Sequence, residues 1–224
     1  MKNIYLIGYR GFKMDSAIDK EMQMIREKAA VCVDCGLSTT RTKVVFGEGN
    51  PRAKLVLVGE GPGEKDDSMG RPFVGPSGFL LDEVLVENKI YRSDIWLTNI
   101  IKCRAASMEG SRLKNRPPRV DEIKACHKWL EGELGLIKPT VILCLGSPAA
   151  SVLIHKSFKM KEEMGKWFTD TPYAPFAMAT YNPAYILRQE GEAYEEARRA
   201  LSWAISQSKE KCEKDGDMPK MTLF

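Results

Sequence analysis

Residues 54–63 read Lys-Leu-Val-Leu-Val-Gly-Glu-Gly-Pro-Gly, a short apolar run followed by a glycine-rich turn. A continuous apolar run that ends in glycine is typical of a parallel strand buried on both faces of a sheet. Further strands are predicted on the same grounds at 94–99, 140–146 and 176–181. Helical spacing of apolar residues predicts helices at 77–86, 119–134, 147–154, 183–187 and 194–207. Strands that alternate with helices predict a three-layer α/β/α sandwich with a central, mainly parallel four-stranded sheet.

The bulk composition is that of an ordinary globular protein. The chain has 224 residues, of which 43% are hydrophobic and 29% charged, and this length suffices to bury a core. We expect one domain over residues 1–224, with an N-terminal strand and helix in 1–30 and a loose, charged tail in 209–224. No apolar run approaches the ~20 residues that span a bilayer, and residues 1–13 lack the features of a signal peptide. We therefore expect a cytoplasmic protein with no membrane partner, and a monomer.

The residues with the most distinctive chemistry follow the predicted strands. They are the glycine-rich turn at 59–63, Asn99, the pair Gly146-Ser147 and the pair Asn182-Pro183. Ligands of open α/β sheets bind in the crevice at the carboxyl ends of the strands. Four such positions at one edge of the sheet predict a single binding site there.

Six cysteines stand in a chain that we expect in a reducing compartment, where disulfides are rare. Cys32 and Cys35 form a C-x-x-C pair. Cys103 follows the second predicted strand, and Cys126 lies within a predicted helix. Thiolates are preferred ligands of soft metals and iron–sulfur clusters, but a C-x-x-C pair also serves zinc ribbons and redox centres. The remaining two cysteines are expected to take no part: Cys144 and Cys212.

Six motifs occur in one order along the chain: C-V-D-C-G-L, L-V-L-V-G-E-G-P-G-E, G-R-P-F-V-G-P-S-G, L-T-N-I-I-K-C-R, E-I-K-A-C and L-G-S-P-A-A. From about Cys32 to Arg188 the chain thereby resembles the family 4 uracil-DNA glycosylases. The resemblance implies an enzyme that binds single- or double-stranded DNA and hydrolyses the N-glycosidic bond of a flipped-out uracil, or another deaminated base, leaving an abasic site. It also implies a four-iron, four-sulfur (4Fe-4S) cluster held by Cys32, Cys35, Cys103 and Cys126.

The resemblance also assigns residues that would recognise the base. Phe73 matches the aromatic residue that stacks on uracil, and the alternative is that Phe73 is plain core. The Asn99 amide offers a donor and an acceptor, which suits the O4 and N3 atoms of uracil; the alternative is that Asn99 caps the following turn. Gly59 and Gly63 would let the backbone approach the base and sugar closely.

Three further positions are candidates for catalysis by the same resemblance. Gly61 falls where family 1 enzymes carry a water-activating Asp, which family 4 members also lack. Glu60 and Asp66 are nearby acids that would position water or shape the pocket, unless they are simply solvated charges. Asp66 stands where family 4 members often carry Glu.

The second catalytic motif departs from the family pattern. Residues 181–188 read Tyr-Asn-Pro-Ala-Tyr-Ile-Leu-Arg, whereas the family has His-Pro-(Ser/Ala), so Asn182 replaces the His. That His would stabilise the charge developing on uracil O2, and loss of one such donor typically costs ~10²–10³-fold in rate. A neutral amide still donates, but less strongly. We therefore expect slow activity or an altered base preference.

Other positions would hold the DNA itself. Ile186 matches the apolar wedge that fills the gap left by the flipped base. Ser147 opens a helix and suits a phosphate, or is an ordinary N-cap. The net charge of +4 permits an anionic partner without requiring one. The basic side chains that would grip phosphates, unless their loop is merely solvated, are Arg112, Lys114, Arg116, Arg119 and Arg188.

The stretch between Cys103 and Cys126 is longer than in most family 4 members. A related branch traps uracil-DNA covalently with a Lys-Arg-Arg-Ile-His motif in a loop of similar length. This chain has no His there, so covalent trapping is not predicted. Two rival hypotheses remain open: a non-catalytic binder of uracil-containing or single-stranded DNA, and an iron–sulfur or zinc protein unrelated to DNA.

Overall fold

The computed structural model describes residues 17–215. Its helices are α1 (Ala17–Ala30), α2 (Glu64–Met69), α3 (Pro76–Glu87), α4 (Val120–Ile137), α5 (Ser147–Leu153), α6 (Met160–Glu163), α7 (Pro183–Ile186) and α8 (Gly191–Asp215), with a 3₁₀ turn at Gly36–Thr39. Its strands are β1 (Glu48–Gly49), β2 (Leu55–Gly59), β3 (Trp96–Asn99), β4 (Ala106–Glu109), β5 (Arg112–Asn115), β6 (Val141–Leu145), β7 (Phe168–Thr171) and β8 (Ala174–Thr180). No helix in this part of the chain is long and apolar enough to cross a membrane.

The central sheet has the strand order β1-β3-β2-β6-β8-β7. Strands β3, β2, β6 and β8 run parallel and are the four predicted from their apolar runs. The mainly parallel α/β architecture is therefore confirmed, but the predicted count of four strands is wrong. Antiparallel β1 and β7 add one strand at each edge. Neither carries a recognisable apolar run, since β1 has two residues and β7 reads Phe-Thr-Asp-Thr.

Alternate side chains of the parallel strands enter two cores, one on each face of the sheet. On β2, Val56 and Val58 pack into the core beneath α1, α4 and α5. Leu55 and Leu57 pack into the opposite core, beneath α3 and α8. Burying each such side chain is worth about 1.5–3 kcal/mol, so the apolar runs fix which residues face each layer.

The strand register brings the carboxyl ends of the parallel strands to one edge. Gly59 pairs with Asn99, and one residue earlier Val58 pairs with Cys144. Leu145 pairs with Thr180. The turns that follow β2, β3, β6 and β8 therefore open side by side, as the sequence predicts.

Two segments differ from the sequence predictions. The stretch that was predicted as a basic loop forms the hairpin of β4 and β5, with Gly110 at φ 62° in its two-residue turn, as such turns require. Helix α8 continues to Asp215, so residues 209–215 of the predicted loose tail are helical, and Cys212 in that helix is buried. The predicted N-terminal strand and the end of the tail, residues 216–224, lie outside the described residues.

Candidate active site and cysteine pocket

Phe73 and Asn99 meet over Gly59, at the carboxyl end of β2. A Cβ atom on Gly59 would lie 2.5 Å from Asn99 Oδ1 and 2.7 Å from Phe73 Cζ, closer than real Cβ contacts allow. Glycine is therefore required at this position for both side chains to sit where they do. The structure thus brings together an aromatic ring, an amide and a glycine whose missing side chain makes room for both, as the sequence predicts.

The side chain of Asn99 is 2% exposed, yet it makes no hydrogen bond with any residue of 17–215. The turn-capping alternative therefore finds no bond to support it. In the described residues, the fully buried side-chain nitrogen and oxygen atoms without a partner are Trp96 Nε1 and Trp129 Nε1. The Asn99 amide is not among them, so it remains accessible to a ligand that would supply its hydrogen bonds. The main chain of Asn99 is nevertheless firmly held, because Ile100 N–H donates to Gly59 O at 2.9 Å.

Phe73 is held in a backbone conformation that non-glycine residues rarely adopt, with φ 54°. The Arg92 guanidinium donates to the Phe73 carbonyl oxygen and, at 3.1 Å, to that of Pro72. The same guanidinium forms an ion pair with Glu48. Gly78 also matters here, because a Cβ on it would lie 1.8 Å from the Phe73 oxygen. The Phe73 ring is 6% exposed, so it both lies in the core and faces the site.

The two predicted acids of the first motif have different surroundings. Asp66 is buried and accepts hydrogen bonds from Gly63 N–H at 3.0 Å and from Val74 N–H at 2.8 Å, one at each carboxylate oxygen. These contacts favour a bracing role for Asp66 over the predicted catalytic one. Glu60 is half-buried, and burial raises the pKa of its carboxyl group while nearby Arg188 opposes that shift. Of the two carboxylates, Glu60 is the more exposed.

Asn182 begins α7 at the same edge, beyond the end of β8. Its Oδ1 accepts from Ala184 N–H at 2.9 Å, and its Nδ2 donates to Leu145 O at 3.1 Å. Because an amide nitrogen carries two hydrogens, one stays available to a ligand. Gly146 has φ 98°, and a Cβ there would come within 3.2 Å of the Asn182 Cβ. At Gly61, likewise, a Cβ would lie 2.8 Å from Ile101.

Two predictions about the DNA-facing residues need correction. Ile186 is 0% exposed and packs in the core, which contradicts its prediction as an apolar wedge, whereas Leu187 beside it is 42% exposed. Ile186 and Leu187 lie at the end of α7, where adjacent side chains point in different directions, so a shift of one residue moves the side chain from the surface into the core. Ser147 is the first residue of α5 rather than its N-cap, which is Gly146.

The predicted phosphate-binding residues fall into two groups. Arg116 is committed to Glu122 through two hydrogen bonds of 2.6 and 2.8 Å, which contradicts its predicted role. Arg119 also contacts Glu122, at 3.0 Å, though it is largely exposed. The side chains of Arg112, Lys114 and Arg188 are exposed, with Lys114 in contact with Glu109.

Arg104, which the sequence analysis missed, anchors the hairpin. It is buried and donates to Asn115 Oδ1 at 2.7 Å and to Leu113 O at 3.1 Å. Asn115 in turn lies beside Gly63, since a Cβ on that glycine would come within 4.0 Å of its amide. The hairpin therefore sits against the first turn of the site. No local pattern distinguishes Arg104 from the other arginines of this stretch.

The four predicted metal ligands line one small pocket on the α1 and α4 side of the sheet. They are Cys32, Cys35, Cys103 and Cys126. Arg41 donates to Cys103 Sγ at 3.6 Å, and Lys102 N–H donates to Cys126 Sγ at 3.1 Å. Trp129 also lines the pocket, and its indole N–H is buried without a hydrogen-bond partner among residues 17–215.

The thiols surround the pocket rather than converge on one point. In the described part of the chain, no three His, Cys, Asp or Glu side chains are close enough to hold a single metal ion. Burial raises the pKa of the Cys103 thiol, and raises that of Cys126 to about 12. Cys144 and Cys212 are buried elsewhere in the two cores, as expected of uninvolved cysteines.

Comparison with known proteins shows the family to which the chain belongs. The fold and the edge site define an α/β protein of the kind described as "Uracil DNA glycosylase superfamily", whose family model matches residues 46–204. The chain is 36% identical over 199 residues to the "Type-4 uracil-DNA glycosylase" of Thermotoga maritima, covering 87% of this chain and 96% of that protein. A protein of the same description from Pyrobaculum aerophilum is 33% identical over 175 residues, covering 75% of this chain and 86% of that protein. The chain therefore belongs to the uracil DNA glycosylase superfamily, in its type-4 group.

Proposed function

We propose that this chain is a uracil-DNA glycosylase of DNA repair, which hydrolyses the bond between uracil and deoxyribose and leaves an abasic site. The observation that carries the proposal is the amide of Asn99, which has no hydrogen-bond partner among residues 17–215 and lies against Phe73 over Gly59. An amide can pair with both O4 and N3 of uracil, while cytosine presents the opposite donor and acceptor at those positions. The similarity to type-4 uracil-DNA glycosylases supports the same function.

The reaction needs the base out of the stack, since a stacked base is beyond reach. Phe73 would cover the face of the flipped uracil while Asn99 reads its edge. The bond between C1′ of the sugar and N1 of uracil then breaks, and its electron pair leaves with the base. The free Nδ2 hydrogen of Asn182 would donate to uracil O2, where negative charge collects.

Water completes the reaction at C1′. The Glu60 carboxylate would orient a water molecule whose oxygen bonds to C1′, and the proton released passes by way of Glu60 to solvent. The departing uracil anion takes a proton in its turn, so atoms and charge balance. Because Asn182 is a neutral donor, we expect turnover to be slower than with a His at this position, by about tenfold or more and by less than the ~10²–10³-fold cost of losing the donor altogether.

A 4Fe-4S cluster fits the cysteine pocket. Cys32, Cys35, Cys103 and Cys126 would bind it, because all four line the pocket and cysteine thiolates are the ligands of iron–sulfur clusters. The buried indole N–H of Trp129 would gain an acceptor in a cluster sulfide. The cluster would serve as a structural tie between the segment after α1 and the loop after β3.

The DNA path follows from the exposed groups around the site. Leu187 would enter the gap left by the base, with Arg188 beside it, while Arg112 and Lys114 on the hairpin contact phosphates. We propose that the chain acts as a monomer in the cytoplasm, on single- and double-stranded DNA alike.

A cleavage assay at abasic sites tests the proposal. Uracil-containing single and double strands, and strands with hypoxanthine or xanthine, are incubated with the purified protein and with Asn99→Ala. We expect cleavage at uracil that Asn99→Ala lowers strongly but leaves measurable, in a brown preparation with the visible absorbance of an iron–sulfur cluster. Tight binding without cleavage would support the non-catalytic alternative. The absence of both binding and cleavage would overturn the proposal.

A further inference from the structure

The core under β3 contains a lysine with all of its hydrogen-bonding capacity in use. Lys102 Nζ donates to Thr98 Oγ1 at 2.6 Å, to Asn99 O at 2.9 Å and to Glu133 Oε2 at 2.7 Å. An ammonium group has three donors, so none is left over. The side chains of Lys102 and Glu133 are 1% and 0% exposed.

Glu133 is equally committed. Its Oε2 accepts from Thr98 Oγ1 at 2.6 Å, and its Oε1 accepts from Gly47 N–H at 2.8 Å. A buried ion pair adds little stability over a well-packed apolar pair, because desolvation offsets the attraction. The network is therefore better explained by the geometry that it imposes, and the group on which it acts next to the site is the carbonyl of Asn99.

The same lysine also touches the cysteine pocket. Its backbone N–H donates to Cys126 Sγ at 3.1 Å, and its chain neighbour is Cys103. One residue thus contacts a candidate ligand through its main chain and the base-reading residue through its side chain. Since the Asn99 side chain has no hydrogen bond of its own among residues 17–215, its placement depends on packing and on this backbone contact.

We propose that Lys102 is a positioning residue: it holds the main chain of Asn99 so that the amide meets the uracil edge, and it links that position to the cysteine pocket. The inference rests on the proposed function. It predicts that losing Lys102 lowers activity because Asn99 is misplaced, and not because the protein as a whole loses its structure.

The test is a double-mutant cycle with a variant designed to fold. Lys102→Met combined with Glu133→Gln removes both charges, while the new amide still accepts from Gly47 N–H and donates to Thr98. The Asn99 carbonyl loses its Lys102 donor, and the Thr98 hydroxyl loses Glu133 as its acceptor. We expect kcat/KM for uracil-DNA to fall roughly 10- to 100-fold, the usual result of a small misplacement, with the visible absorbance of the cluster and the melting temperature retained. Should this pair not fold, Lys102→Gln with Glu133→Gln replaces it, since glutamine is too short to reach the Asn99 oxygen.

The same pair is then made in Asn99→Ala, where we expect less than about a twofold further change, because coupled residues do not act additively. Arg198→Met with Glu87→Gln is the matched control: it removes an ion pair between α8 and α3, away from the site, and should leave kcat/KM unchanged. Equal losses in both backgrounds, or no loss in the first, would overturn the inference. The dissociation constant for a uracil-containing single strand is also measured for every variant. If the wild-type protein binds this strand without cleaving it, the proposed function is wrong, but the dissociation constants still test the role of Lys102.

Discussion

The amide oxygen of Asn99 lies 2.5 Å from the place that a Cβ atom on Gly59 would occupy. The two residues are also register partners on neighbouring strands, so neither can move away without disturbing the sheet. The space between Gly59, Asn99 and Phe73, where the uracil would bind, therefore exists only because Gly59 has no methyl group.

Gly59→Ala should therefore abolish activity without unfolding the protein. The methyl group would push aside Asn99 and Phe73, and a shift of about 1 Å in a binding group can cost ~10²-fold in rate. Steady-state cleavage of uracil-DNA measures the loss. Gly135→Ala is the control, because a Cβ at that exposed position in α4 meets nothing within 4 Å. Retained activity in Gly59→Ala would mean that uracil does not lie against Gly59.

Replacing Arg92 should loosen Phe73. Without the guanidinium, the Phe73 carbonyl loses its donor and the unusual φ of 54° of Phe73 is less restrained. We expect Arg92→Met to weaken inhibition by free uracil and to lower stability by about 1–3 kcal/mol. Thermal unfolding and product inhibition measure the two effects. Arg92→Lys keeps the charge but loses the planar guanidinium. Stability and uracil inhibition between those of the wild type and Arg92→Met would support the hydrogen bonds from Arg92 as the restraint on Phe73, whereas wild-type values would show that the charge alone suffices.

Asn182→His should raise the rate. An imidazole can donate more strongly to uracil O2 than the present amide, and we expect a gain of about tenfold or more in single-turnover rate. The variant also disrupts the Asn182 cap of α7, at a cost of about 1 kcal/mol in stability. A gain in rate despite lower stability would identify Asn182 as the donor. An unchanged rate would place the donor elsewhere.

The activity should decline on the acid side with a midpoint above the ordinary glutamate value of 4.5, because burial raises the pKa of Glu60 and only its carboxylate can orient water. Arg188 lowers that pKa, so Arg188→Gln should move the acid midpoint to still higher pH. Rate profiles at saturating substrate separate this shift from weaker DNA binding. An unmoved midpoint in Arg188→Gln would exclude Glu60 as the titrating group.

Leu187 and Ile186 should respond oppositely to truncation. Leu187→Ala removes an exposed side chain, and we expect it to slow cleavage of double strands more than single strands, which have no stack to fill. Ile186→Ala opens a cavity in the core and should instead lower stability by about 2–5 kcal/mol. Cleavage of both substrates and denaturant unfolding distinguish the cases. A strand-selective defect in Ile186→Ala would restore it as the wedge.

Much of this arrangement can be predicted from sequence because it depends on short, local patterns. The apolar runs of β2 and β6 specify buried parallel strands, and these in turn place Gly59 and Asn99 at one edge. The parts that escaped prediction depend on partners distant in sequence. Arg116 resembles any exposed arginine until Glu122 is seen beside it. Lys102 gives no sign of burial until Glu133, on another element, is placed against it.

Arg104 directly follows Cys103, and its guanidinium holds the β4–β5 hairpin through Asn115 and Leu113. A rearrangement of the loop that carries this cysteine would thus be transmitted to a two-stranded arm with exposed cationic side chains. Oxidation of the thiols would then weaken the proposed contacts between the hairpin and DNA phosphates, even if the base-binding site around Gly59 kept its shape. A lower affinity for duplex DNA after exposure of the protein to air would show that the thiols and the hairpin are coupled in this way.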